Sequence, residues 1–298
     1  MSPNTFAAPL DTARPLHLSS FDPASLARRI LELPPLPTAL AEAMRVLSHD
    51  ELPAQHCVRA IEREPALALR VVQLANSGFY ASPSRVGSLG DAVRLLGLRA
   101  VAAVLAAVSI KQMMGRLPGS LHEQDRRWHH ALATGCGARE LARERGLDAE
   151  EAFVAGLLHD VGAWLLAAFA PEQLPLVQSL QDVEKLDLCS AERRVLGVSH
   201  EDIGAQVAHL WRFPSGIAAA ISHHRQPRSE AEGGTELERL VHVAEALVET
   251  MEHTAGESAP VTQAPLQPEV WQALNLDHAL LDRVCERTRA ALASLEYA

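Results

Sequence analysis

The chain has 298 residues, 48% of them hydrophobic, enough to bury one large core or two modest ones. Its net charge of −10 is uneven: residues 1–115 hold eleven Lys+Arg against nine Asp+Glu, and the remainder sixteen against twenty-eight. Phosphate-backbone affinity is mostly cationic, so this balance argues against nucleic acid as a partner.

Residues 1–24 carry scattered Pro, Ser and Asp without a sustained period and read as a flexible arm, with neither the basic start nor the apolar segment of a secretory signal. Pro37 opens a predicted helix through ALAEAMRVLSHD. Pro65 sits in the first turn of PALALRVVQLANSG, where its missing N–H matters least, and Asn76-Ser77-Gly78 supplies the stop. Ser88 and Asp91 have capping-box spacing ahead of AVRLLG. Beyond Gly97, LRAVAAVLAAVSIKQMM is apolar on nearly every face and is predicted to be central. Its run Ala100–Ile110 is eleven residues, short of the roughly 18–20 that cross a bilayer. A soluble, cytoplasmic protein without a membrane span is expected.

Pro118-Gly119-Ser120 marks a predicted change of subdomain. Helices are then predicted through DRRWHHALATGCGARELARERG, from Asp148 to about Phe169, from Ser199 in SHEDIGAQVAHLW, from Pro214 in PSGIAAAISHH, and through ELERLVHVAEALVETM. Residues 254–268 read as a surface loop before a last helix in ALLDRVCERTRAALASLEY. No alternating β-branched segment competes, so the fold is expected to be all-α. The organisation read from these breaks is an arm (1–24), an N-terminal helical subdomain (25–117), a second helical subdomain (118–253), and a loop with a packing helix (254–298). Cys57, Cys136, Cys189 and Cys285 form no CxxC and read as free structural thiols.

Eight of the fourteen histidines fall between His122 and His224. His159 and Asp160 interrupt the apolar run AGLLHDVGAWLLAAF, His200 follows a Ser199 cap, His223 and His224 end a helix, and Glu245 stands in the apolar stripe Leu240, Val241, Ala244, Leu247, Val248. A carboxylate buried at Asp160 needs compensation from a metal ion, a cationic side chain or a helix N-terminus. Imidazole with carboxylate suits iron, manganese, zinc or nickel more than calcium. The alternative is that the same residues hydrogen-bond one another as a packing network. HExxH, P-loop, GxGxxG and GxSxG patterns are absent, which removes support for nucleotide-fold and α/β-hydrolase chemistry.

LPPLPTAL, EREPALALRVVQLANSGFYASPSRVGSLGDAVRLLGLRAV, AGLLHDVGAWLL, SHEDIGAQVAHLWRFPSGIAAAISHHRQP and LVHVAEALV, in that order over about residues 26–250, resemble the HDOD family, output-domain relatives of the HD and HD-GYP metal-dependent phosphohydrolases. The resemblance implies a bacterial, cytoplasmic signal-transduction module in which an N-terminal helical subdomain packs on an HD-like bundle. Beside catalytic relatives, His130 resembles the first ligand histidine, His159 and Asp160 the HD pair, His200 the histidine of an H-x-x-x-G segment, His223 and His224 the paired histidines, and Glu245 the final aspartate. Two departures stand out: Ala163 replaces a common lysine, and Glu245 replaces aspartate; there is also no GYP signature.

These departures point to a non-catalytic regulatory module that binds a protein partner or itself. Arg59, Arg63, Arg70, Arg85, Arg94 and Arg99 read first as a solvated surface and alternatively as a basic face for an acidic partner; Asn76, Phe79 and Tyr80 read equally as a turn with core aromatics or as shaping that face. The alternatives are a metal-dependent phosphohydrolase and a nucleotide-sensing domain.

Overall fold

The structure is a computed structural model that describes residues 23–33, 35–48, 65–80, 85–253, 266 and 268–296. Most of the expected arm, Cys57, Arg59, Arg63 and most of the expected 254–268 loop lie outside the described residues. Among the described residues the fold is all-α, with no strand.

α1 (Pro23–Leu31), α2 (Thr38–Ser48), α3 (Pro65–Ala75) and α4 (Leu89–Leu96) precede α5 (Leu98–Met114). Ser88 caps α4 by accepting from the Asp91 amide at 3.1 Å, as the spacing predicts. Gly97 turns the chain between α4 and α5 at φ +88°, a conformation that favours glycine. α5 is buried without interruption from Ala100 to Ile110 because α2, α3 and α4 cover it on one side and later helices on the other. Its apolar circumference is therefore a central position, as expected.

α6 (Leu121–Arg145) starts at a Ser120 cap and ends at Gly146, whose left-handed φ of +68° closes the helix. It packs along α7 (Ala149–Leu158), which also touches α5 and so links the two halves. α8 (Val161–Phe169) continues from α7 after a bend. α9 (Leu174–Glu184) and α10 (Leu188–Leu196) lead to α11 (His200–Leu210), α12 (Ser215–His223) and α13 (Glu236–His253). α14 (Pro268–Ala273) and α15 (His278–Glu296) complete the order, with α15 lying on α6.

Two sequence expectations change. The single helix predicted from Asp148 to Phe169 is two, broken at His159-Asp160. Within that Ala149–Phe169 segment an 18-residue window has mean hydropathy 1.7, long and apolar enough to cross a membrane by length and composition, yet 78% of it is buried in the domain. Finally, α1, α9, α10 and α14 have no counterpart in the predicted elements. They are short, and α10 is defined by its ends rather than a long apolar face: Asp187 accepts from the Ser190 amide and Gly197 closes it at φ +79°.

Candidate metal centre

Two close helix contacts bring the polar residues together. Gly135 of α6 faces Gly156 of α7; a Cβ on Gly156 would lie 2.8 Å from the Gly135 Cα. The backbones therefore meet directly, and the rings of His130 and His159 come within 5.4 Å of each other. Gly162 of α8 meets the start of α11: a Cβ there would overlap the His200 carbonyl and stand 2.8 Å from the Gly204 amide. The glycines following His159-Asp160 and His200 are thus the condition for His200 to stand beside Asp160.

At the bend, His159 keeps helical angles while Asp160 moves to φ −101°, ψ 20° and makes no capping bond with its side chain. The carboxylate that begins α8 is turned inward instead. His159 is 1% exposed, His200 1%, His224 0% and Glu245 2%.

Each of the three buried imidazoles is held the same way. His159 Nδ1 lies 2.6 Å from the Gly156 carbonyl, and His224 Nδ1 3.0 Å from that of Ile221. A carbonyl only accepts, so both Nδ1 atoms carry the proton and both Nε2 atoms present a lone pair. His200 Nδ1 is 2.6 Å from Glu192 Oε2, which also accepts from the His200 amide at 2.8 Å. Fixing a ligand histidine by its second nitrogen is how metal sites set tautomer and direction.

The free edges converge. His200 Nε2 and His224 Nε2 are 3.2 Å apart, His159 Nε2 is 3.6 Å from Glu245 Oε1, and His200 Nε2 is 3.9 Å from Asp160 Oδ1. Donor atoms of His159, His224 and Glu245 lie within 4.8 Å of one another, as do those of Asp160, His200 and His224, and of His130, His159 and Asp160. Six of the seven predicted positions therefore fall in three overlapping donor groups. His223 joins none of these groups; its Nδ1 is 3.1 Å from the Ala219 carbonyl of its own helix.

Electrostatics treats the rings differently: His224 is held neutral, whereas His200, despite its burial, is raised by the Glu192 hydrogen bond and the Asp160 carboxylate. Burial pushes His224 down to about 3. Burial alone would raise Asp160, but the neighbouring rings of His159, His200 and His224 outweigh it and hold the carboxyl at about 2. Glu245 is also well below the usual range, with burial again outweighed, here by His224, Arg225 and His159. Of these the guanidinium is the lasting charge, because His224 is neutral at pH 7. Arg225 Nη2 is 2.8 Å from Glu245 Oε1 and Nη1 2.8 Å from Glu249 Oε1. The first pair is at ion-pair distance without hydrogen-bond alignment, so that oxygen remains unsatisfied. His130 is raised: burial opposes its charge, but Glu252, 3.2 Å from Nδ1, and the carboxylate of Asp160 prevail.

The fit to a cation follows from three buried atoms without hydrogen-bond partners: His159 Nε2, Asp160 Oδ1 and Glu245 Oε1. Each such atom carries a desolvation penalty of about 1–3 kcal/mol, and a cation held by either group that pairs His159 with Asp160 or His159 with Glu245 would meet part of it. Two nitrogens on a tetrahedral ion with bonds of about 2.0–2.1 Å stand roughly 3.3 Å apart, close to the 3.2 Å between His200 and His224. The donor set can coordinate a divalent metal.

Sequence reasoning missed the supporting groups. Glu192 and Glu252 orient His200 and His130, His242 donates from Nδ1 to the His224 carbonyl at 2.7 Å, and Glu201 accepts from the Arg225 amide at 3.0 Å. Arg225 follows the paired histidines directly, and that adjacency was the one available signal.

The family model described as HDOD domain matches residues 33–227. A curated protein of Treponema pallidum, uncharacterised, is 28% identical over 212 residues, 70% of this chain and 41% of its own length. The chain thus spans about two fifths of that relative. An HDOD domain protein of unknown function from Geobacter sulfurreducens superposes with TM-score 0.73 at 25% identity, covering 91% of this chain and 97% of that one. A candidate phosphohydrolase from Shewanella amazonensis superposes with TM-score 0.71 at 23% identity, covering 91% and 98%.

Proposed function

The chain belongs to the HDOD family, and from that premise we propose that it is a signalling module whose HD-like centre holds a divalent transition metal and acts on a phosphoester. The observation that carries the reading is the convergence of three Nε2 atoms, each ring fixed through Nδ1, with Asp160 and Glu245. Imidazole with carboxylate favours manganese, iron, zinc or nickel. Bound there, such an ion supplies charge neutralisation for a phosphoryl oxygen and lowers the pKa of water. The chain's own part is to direct His159, His200 and His224 through their Nδ1 bonds, to keep His224 neutral, and to keep Asp160 and Glu245 ionised. His130, tied to Glu252, is the titratable group at the edge of the centre and is assigned proton transfer. The two-part organisation, 25–117 and 118–253, is proposed as the division between an output face and this centre.

A second reading, a non-catalytic regulatory module, is favoured by one observation: Arg225 already sits on Glu245 while Ala163 offers no cation to a phosphate. The test separates them. Metal content is measured on protein purified without chelator, and hydrolysis of bis(p-nitrophenyl) phosphate and cyclic dinucleotides is assayed in wild type and in the H159A/D160A variant. Metal-dependent turnover abolished in the variant supports the phosphohydrolase; stoichiometric metal without turnover supports the regulatory module; neither metal nor turnover overturns the centre.

A further inference from the structure

A cavity of about 330 Å³ lies away from the histidine cluster between α3, α5, α6 and α7. Val104, Ala107 and Val108 of α5 line it. Around them stand Phe79, Tyr80, Trp128 and Phe153, four of the twelve aromatic residues in the chain. The aromatic side chains are held in place rather than loose: Phe79 and Tyr80 meet edge to face at 4.9 Å, and Phe79 lies 5.4 Å from Phe153. Beneath them Arg139, 2% exposed, places its guanidinium 3.9 Å from the Phe79 ring and 4.7 Å from the Tyr80 ring.

The lining has a consistent charge. It contains Arg70 and Lys111, both exposed, and no aspartate or glutamate, in a chain with 37 acidic residues. Neither cation is paired with a carboxylate among the described residues; Lys111 Nζ stands 5.3 Å from the Trp128 ring. Two cations without a carboxylate partner among the described residues, beside an aromatic-walled cavity in an acidic protein, form a complementary set for one molecule: a flat apolar body with a negative end. The volume is near the lower bound of ligand pockets, about 300–1,000 Å³, and suits one or two fused rings rather than a dinucleotide.

We propose that this cavity binds a small aromatic carboxylate, with its rings among Phe79, Tyr80, Trp128 and Phe153 and its carboxylate toward Arg70 and Lys111. The site is independent of the metal centre, although α6 carries both Trp128 and His130 and α7 carries Phe153 and ends at His159.

The test uses 2-naphthoate and its neutral isostere 2-naphthamide as probes in isothermal titration calorimetry on the full chain. Wild type is expected to bind one 2-naphthoate, about tenfold more tightly than 2-naphthamide. The exposed-site variant R70Q/K111Q should bind the two equally without a change in melting temperature. A107W, which fills the cavity, should bind neither; W128F should lose most of the ligand-induced change in tryptophan fluorescence and serves as the localising variant if A107W does not fold. Absence of saturable 2-naphthoate binding to wild type overturns the proposal, as does a preference for the anion that survives in R70Q/K111Q or a fluorescence response unchanged in W128F.

Discussion

Two buried polar clusters lie on neighbouring helices and are built to opposite rules. In the first, Arg139 donates through Nε and Nη2 to Glu150 at 3.1 and 2.7 Å and through Nη1 to the Phe79 carbonyl at 3.3 Å, while the Tyr80 hydroxyl reaches Glu150 and the Ala100 carbonyl at 3.2 Å each. Every cation there has its carboxylate, and nothing is left over. In the second, His159, Asp160 and Glu245 each keep a buried atom without a hydrogen-bond partner, although Arg225 stands at ion-pair distance from Glu245. A closed network fixes packing; an open one, held that way by the bond each ring makes through its Nδ1, is prepared for a ligand. The residue types are similar, and the difference lies in whether the valences close.

Four experiments break or sharpen this contrast. Arg139→Ala opens the closed cluster and leaves the half-buried Glu150 without its charge partner, so it should lower stability by about 3 kcal/mol, read from urea unfolding; a loss below about 1 kcal/mol would show that the cluster does not fix packing. Closing the open cluster should do the reverse: Mn²⁺ or Zn²⁺ at a hundredfold excess over its Kd should add about 2.7 kcal/mol, and His224→Ala should abolish the gain. An equal gain in both proteins would place binding elsewhere.

Gly162→Ala tests the backbone contact that supports the open cluster. The added methyl group meets the His200 carbonyl, and overpacking of this kind costs about 1–3 kcal/mol; metal affinity should fall with it. Ser199→Ala is the mildest change. Ser199 and Asp202 form a complete capping box at the start of α11, the turn that presents His200, and its loss should cost about 1 kcal/mol. Burial would raise the Asp202 carboxyl, but Arg193 and Ser199 outweigh it and hold the group at about 2 against an ordinary 3.8. The folded-state value is depressed, so this contribution is present above about pH 4 and is lost as the pH falls through 2. Thermal melts of wild type and Asp202→Asn should converge at the acid end of that window.

The central α5, the capping boxes and most of the long helices were legible because each rests on a local pattern: an apolar circumference, a serine three residues before an acid, a glycine at a helix end. The list of candidate ligands was legible as residue types in unusual settings. Convergence was not, since it depends on Gly135 against Gly156 and Gly162 against Gly204, contacts between residues distant in the chain. The bend at Asp160 was hidden by apolar residues on both sides that would serve one helix equally well. Arg225 and Glu192 act through position alone, and their types carry no mark of it.

The six convergent side chains span positions 130 to 245 and arrive on α6, α11, α12, α13 and the α7–α8 bend. None of their mutual contacts except that between His159 and Asp160 is local in sequence. Such a centre assembles only when the distant helices have docked, at the end of folding, where loop closure has already been met. A cation added to the refolding chain should therefore leave the folding rate unchanged and act on the other limb, prolonging the lifetime of the native state by holding five helical segments against separation.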